Sequence, residues 1–280
     1  MTDVQSTSRE AAVAALAARY RADPKQADTP WNAALATLLT HRSVRAYRPD
    51  PVPPAVLRTA VAAAQSAPTS SNLQVWSVVA VEDPARKARL AELAGHQRHV
   101  ETCPLFLVWL ADLSRLRVLG SERGRATDGL DYLESLLVAV VDASLAAQNA
   151  VVALESLGYG TVYIGGMRNR PEEVAATLGL PADVVAVFGL CVGLPDEACP
   201  ASVKPRLPVE AVLHAECYGG PPSADLVAGY DAALRSFQLE QGIAANGWSD
   251  TALQRVRGPE SLSGRHRLRE ALAARGFALK

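Results

Sequence analysis

The chain has 280 residues, 49% of them hydrophobic, with 28 basic and 29 acidic side chains and a formal charge of −1. That balance argues against general binding of nucleic acid or acidic polymers, and the apolar share is ample for a sizeable core. Four cysteines without a CxxC spacing or a His-rich companion point to free thiols in a reducing cytoplasm rather than to a metal site.

The N-terminus carries Asp3, Arg9 and Glu10 and lacks the charged-then-apolar pattern of a secretion signal. A helix is predicted over 9–20, capped by Ser8, and a second over 31–40. Pro53 and Pro54 open a helix that runs to about Ser66 and stops before Pro68. Residues 75–81 have the β-branched content of a strand, and 84–93 read as a helix ended by Gly95. Residues 104–110 are apolar throughout, as in a central strand covered on both faces. The apolar stretch 133–157 is interrupted by Glu134, Asp142, Gln148, Asn149 and Glu155. It reads as a buried helix over about 131–157, closed by Gly158, rather than as a membrane span. Strands over 161–164 and 184–192 flank a helix begun by Pro171, with Glu172 and Glu173 in its positive first turn. After Pro195 the composition turns loop-like, and helices near 223–240 and 264–275 finish the chain. The alternation implies one layered sheet with helices on both faces, parallel or mixed.

Two cationic segments stand in this apolar background, His41-Arg42-Ser43-Val44-Arg45 and Lys204-Pro205-Arg206. Cations beside a core need an anionic partner, and a phosphate group bound by both segments would supply one. Arg42 and Arg45, three apart, share a side of a helical turn, and guanidinium forks with a hydroxyl suit a phosphate or a delocalised anion. The competing reading is a solvated basic helix end, with His41 structural. Pro68–Gln74 packs hydroxyls and amides into a turn, which could bind the edge of a heterocycle or close on itself. Tyr163-Ile164-Gly165-Gly166 ends a strand, where glycines admit a flat ligand or simply permit a tight turn. Gly95-His96-Gln97-Arg98-His99 lacks the carboxylate or thiol that would complete a metal site. No G-x-G-x-x-G, P-loop, zinc motif or G-x-S-x-G elbow occurs.

Taken in order, THRSVRAY, APTSSNLQ, GHQRHV, AAQNAVVALESLGYGTVYIGGMRN, FGLCVGLP and KPRLP resemble the nitroreductase superfamily, in particular its oxygen-insensitive NADPH nitroreductases and NADPH–flavin oxidoreductases. The resemblance covers roughly residues 32–280. It implies an α+β homodimer with a mixed central sheet flanked by helices, a C-terminal arm on the partner subunit, and one non-covalent FMN at each dimer interface. Residues 31–280 would be the FMN-binding domain and 1–30 a helical extension that adds dimer surface. By the same resemblance Arg42, Ser43, Lys204 and Arg206 would hold the FMN phosphate, with His41 in the same binding segment. Arg45 would support the flavin N1 and C2 carbonyl. Ser70, Ser71 and Gln97 would meet the ring edge or ribityl chain, the serine loop coming from the neighbouring subunit. Tyr163, Ile164, Gly165 and Gly166 would line the ring, with a glycine N–H near N5. The implied activity is two-electron, ping-pong reduction of nitroaromatics, quinones or free flavin by NADPH or NADH. No side chain acts as nucleophile or acid–base dyad, and no metal is involved.

The chain departs from that pattern in places. NADPH-using members carry arginines in a loop before a Trp-Ser pair, whereas 241–249 (QGIAANGWS) contains no Lys or Arg. NADH is therefore expected to serve as well. Residues 255–280 hold seven basic side chains against two acids. Arg255, Arg257 or Arg265 could fold back to supply the charge, although a solvated helix on the partner subunit is the preferred reading. The serine loop is poorer in Ser than the family's, and Asn72 stands where members carry an aromatic residue. The Arg- and Gly-rich insertion over 116–131 is the candidate lid for a rival reading, a specialised member such as a dehalogenase. A flavin carrier or sensor without turnover is the other rival.

Overall fold

The computed structural model describes residues 2–21 and 29–280. Its helices are α1 (Thr2–Tyr20), α2 (Ala33–Leu39), α3 (Pro54–Gln65), α4 (Pro84–Leu93), α5 (Arg98–Thr102), α6 (Ser114–Arg123), α7 (Leu133–Ser156), α8 (Pro171–Leu178), α9 (Ala224–Glu240), α10 (Gly247–Val256) and α11 (Leu268–Ala274). Its strands are β1 (Trp76–Val81), β2 (Leu105–Asp112), β3 (Gly160–Ile164) and β4 (Val184–Gly193). Prolines open α3, α4 and α8, and the side chains of Asn32, Asp83 and Ser223 cap α2, α4 and α9. The first helix begins at Thr2, so Ser8, expected as its cap, lies inside it. Helices α5, α6 and α10 were not expected from the sequence.

The chain forms two compact units. One combines the described N-terminal residues up to 42 with 202–261. Here α9 packs on α10 and α1 on α2, burying Ala12 and Ala15 of α1 and Tyr230, Leu234 and Phe237 of α9. The Asp231 carboxylate accepts from the backbone N–H groups of Trp248 (2.6 Å) and Ser249 (2.8 Å), fixing the first turn of α10.

The other unit holds residues 43–201 and 262–280, with a four-stranded sheet in the order β1-β2-β4-β3. All three pairings are antiparallel, and the parallel character expected of a mixed sheet is confined to an isolated bridge between Ser43 and Thr161. Every residue of β2 is buried because helices cover both of its faces. Leu105, Leu107 and Trp109 face a cluster with Ala60, Ala64, Ala146 and Ala150 of α3 and α7, while Phe106, Val108 and Leu110 face Leu90 of α4 and Val174 of α8. That alternation is the period-two pleat of a strand. A Cβ on Gly189 would fall 2.1 Å from the Phe106 ring, so glycine is what lets Phe106 lie across β4.

Helix α7 is long and apolar enough to cross a membrane, yet its alanines at 139, 143, 146, 147 and 150 are fully buried in the unit's core, as read from its interrupting polar residues. The C-terminal residues correct an expectation. Leu272 and Phe277, expected on a solvated helix, are buried in this chain's own core with Ala111, Leu136 and Val185. Backbone hydrogen bonds between 131–133 and Lys280 fasten that end to the start of α7.

Candidate functional site

In the first unit, α2 ends at Leu39, is capped by Thr40 and delivers His41 and Arg42. Arg42 is exposed and forms no ion pair among the described residues. Pro205 is buried and its carbonyl accepts from the Tyr230 hydroxyl at 3.0 Å. That anchor leaves Lys204 and Arg206 both exposed on either side of it. Arg206 reaches back only to the carbonyls of Lys204 and Pro205, at 3.2 Å each, and no carboxylate pairs with it among the described residues. Exposed guanidinium groups without a counter-charge are suited to a doubly charged phosphate ester.

In the second unit, the Val44 N–H donates to the Thr161 carbonyl at 2.9 Å, so the segment begun by Ser43 runs beside the start of β3. Val44 is buried and would collide with any Cβ on Gly160. Arg45 is exposed and has only a long contact, 3.5 Å, to the Ser43 carbonyl. At the other end of β3, Ile164 is buried, while the Tyr163 ring is about one-third exposed (37%) and lies edge-on to Phe188. The Tyr163 hydroxyl contacts Gln148 Oε1 at 3.3 Å, and burial raises its pKa. The two following glycines differ in purpose. A Cβ on Gly166 would lie 2.6 Å from the Ala94 carbonyl, a packing requirement, whereas one on Gly165 would first meet the guanidinium groups of Arg168 and Arg265, at ordinary contact distances of 3.5–3.8 Å. Gly165 is thus the half-buried, cation-flanked position.

The Pro68–Gln74 loop is held by a residue the sequence reading treated only as an interruption in an apolar helix. Asp142, on α7 and 2% exposed, accepts from the Thr69 hydroxyl (2.5 Å) and from the backbone N–H groups of Ser70 and Val75 (3.3 Å each). That anchorage holds Ser71, Asn72 and Gln74 at positive φ, an unfavourable region for non-glycine residues, and leaves Ser70 and Ser71 exposed. Gln97 is half-buried and uses its amide N–H on the Ala94 carbonyl at 2.8 Å, leaving its carbonyl oxygen to accept.

Of the three C-terminal arginines considered as a source of charge, Arg255 donates to the Ser261 carbonyl and Arg257 pairs with Glu260 at 3.1 Å. Arg265 donates to Asn169 Oδ1 at 2.8 Å beside Gly165 rather than extending into solvent. The 241–249 loop leads into α10, whose first turn already holds the Asp231 carboxylate. Hydrogen bonds from Ser249 and Trp248 keep that group below the usual carboxylate range. The insertion over 116–131 forms α6 and a return held by Arg117 to the Thr127 carbonyl and Asp131, bordering a cleft of about 690 Å³. No group of metal-ligating side chains occurs among the described residues, and all four cysteines are free.

The chain matches known proteins over most of its length. The Nitroreductase family matches residues 38–194, and the nitroreductase C-terminal domain matches 204–280. An oxygen-insensitive NADPH nitroreductase of Salmonella typhimurium is 40% identical over 216 residues, covering 76% of this chain and 86% of that protein. An FMN reductase (NADPH) of Bacillus subtilis is 38% identical over 227 residues, 79% of this chain and 90% of its own length. The structure of NADPH:FMN oxidoreductase from Vibrio harveyi complexed with NAD+ superposes with a TM-score of 0.79 at 33% identity, covering 89% of this chain and all of that one (100%).

Proposed function

The chain belongs to the nitroreductase family, and we propose that it is an FMN-dependent NAD(P)H oxidoreductase that reduces nitroaromatics, quinones or free flavin. The observation that carries this reading is the set of exposed guanidinium groups at Arg42, Arg45 and Arg206, none matched by a carboxylate among the described residues. Hydride acceptance from a nicotinamide and two-electron delivery to a second substrate are the chemistry the flavin supplies when bound.

The residues divide the work. Arg42, Ser43, Lys204 and Arg206 bind the phosphate, whose two charges call for more than one cation. His41 belongs to that segment through its backbone. Arg45 would supply a permanent positive charge to the N1 and C2-carbonyl edge of a bound flavin, favouring its reduced, anionic form. Ser70, Ser71 and Gln97 orient the ring edge and ribityl chain. Tyr163 and Gly165 line the ring, Gly165 offering a backbone N–H to N5, while the buried Ile164 and Gly166 hold that turn against the core.

The loop 241–249 contributes no basic residue of its own, and the Arg235 guanidinium of α9 that stands beside Gly247 lies next to the Asp231 carboxylate, which offsets its charge toward a 2′-phosphate. Both NADH and NADPH therefore serve as donors.

The working form is a cytoplasmic homodimer. Leu133, Leu137, Val141 and Leu145 recur every four residues on α7 and are 41–54% exposed, an apolar stripe that a second copy would cover. The stripe shares a depression with Pro68, Thr69 and Ser70, so the serine loop would sit at the same interface.

The test is kinetic, on protein confirmed as a dimer by sedimentation. Double-reciprocal plots against the nicotinamide at several acceptor concentrations should run parallel, the signature of a ping-pong scheme. Intersecting lines would mean that both substrates bind before any electron moves.

A further inference from the structure

The last turn of α1 carries Arg19, which lies ahead of the region matched by the family. Arg19 as a residue is 7% exposed, and its guanidinium donates to three backbone carbonyls: Lys204 at 2.9 Å, Leu39 at 2.9 Å and His41 at 3.0 Å. The Arg206 N–H in turn donates to the Arg19 carbonyl at 2.9 Å. One side chain thus ties the peptide unit before Arg42 to that of Lys204, two segments more than 160 positions apart in the chain. No carboxylate pairs with Arg19 among the described residues.

We infer that Arg19 is a positioning residue for the phosphate end of the cofactor site, so that the N-terminal helix of this chain is coupled to FMN retention. The inference rests on the reading of Arg42, Lys204 and Arg206 as phosphate ligands. A buried cation satisfied only by carbonyl dipoles is costly, and burial and the neighbouring Arg206 charge both lower its pKa. A phosphate dianion held by the adjacent cations supplies the missing negative charge. The fork also fixes the spacing of the segments that carry Arg42 and Lys204, which a flexible ammonium could not do. Coupling of this kind is reciprocal, so phosphate binding also stabilises the docked α1.

The test is an equilibrium titration of the flavin-free full chain with FMN and with riboflavin, which lacks the phosphate. Arg19→Ala should weaken FMN about tenfold while leaving riboflavin affinity unchanged. Arg19→Lys, which keeps the charge without the fork, should fall between Arg19→Ala and the parent chain. Should Arg19→Ala fail to fold, the FMN-to-riboflavin ratio for Arg19→Lys decides the matter. Equal weakening of both flavins would reduce Arg19 to a general structural role and overturn the inference, as would unchanged FMN binding. The Arg42→Ala/Lys204→Ala double variant separates the two readings. If it loses FMN while Arg19→Ala binds normally, only the inference fails. If both retain FMN, the phosphate assignment fails and the inference with it.

Discussion

With Arg42 and Lys204 both replaced by alanine, the purified protein is expected to be folded and colourless. Both side chains are exposed, so their loss removes little from the fold. Each charge-assisted hydrogen bond to a phosphate contributes about 1.5–3 kcal/mol. Losing two costs about 3–6 kcal/mol of binding, on the order of 10²- to 10⁴-fold in affinity. Visible absorbance per chain reads the flavin, and thermal unfolding confirms the fold. A folded double variant that keeps one flavin per chain would remove these residues from the phosphate site.

The second large effect is expected at Asp142. Its carboxylate serves two backbone N–H groups and a hydroxyl of the serine loop from inside a 24-residue apolar helix. In Asp142→Ala those donors lose their acceptor, at about 1–3 kcal/mol for each one left buried. Because part of the loop can reopen to water, a net loss near ~3 kcal/mol is expected, with a lower Tm and weaker flavin binding together. Asp142→Asn, which keeps one acceptor oxygen, should recover part of both. Unchanged stability in Asp142→Ala would mean that the loop holds its positive-φ conformation without this anchor.

Local chemistry explains which parts of the fold were legible in the sequence. Pro54, Pro84 and Pro171 mark helix starts by fixing φ, and the unbroken apolar run of β2 announces a strand covered on both faces. Helix α6, SRLRVLGSER, has no apolar stripe, and its return is held by Arg117 bonds to Thr127 and Asp131 that no local pattern encodes. Helix α10 depends on Asp231, sixteen positions before it, to satisfy its first turn. The C-terminal residues gave no sign that Leu272 and Phe277 belong to their own chain's core, because a basic helix with a narrow apolar edge reads as a solvated arm.

The site was legible to a similar degree. The cations at 42, 45, 204 and 206 stood out because charge beside apolar segments needs a reason. The contributions of Asp142 and Arg19 did not, since each acts on residues far away in the chain. An isolated acid in an apolar helix was the available signal for the first, and nothing in the sequence marked the second. Gly165 and Gly166 looked equivalent until packing on Ala94 claimed Gly166.

The central claim is that a bound flavin in this chain accepts electrons from a nicotinamide, and an anaerobic half-reaction tests it most directly. The visible spectrum of the FMN-loaded protein is followed after mixing with NADH or with NADPH, in the absence of any acceptor. Bleaching of the flavin band by both nucleotides, at comparable rates, is the predicted result. A flavin band that neither nucleotide changes would contradict the account and leave a protein that carries flavin without turning it over.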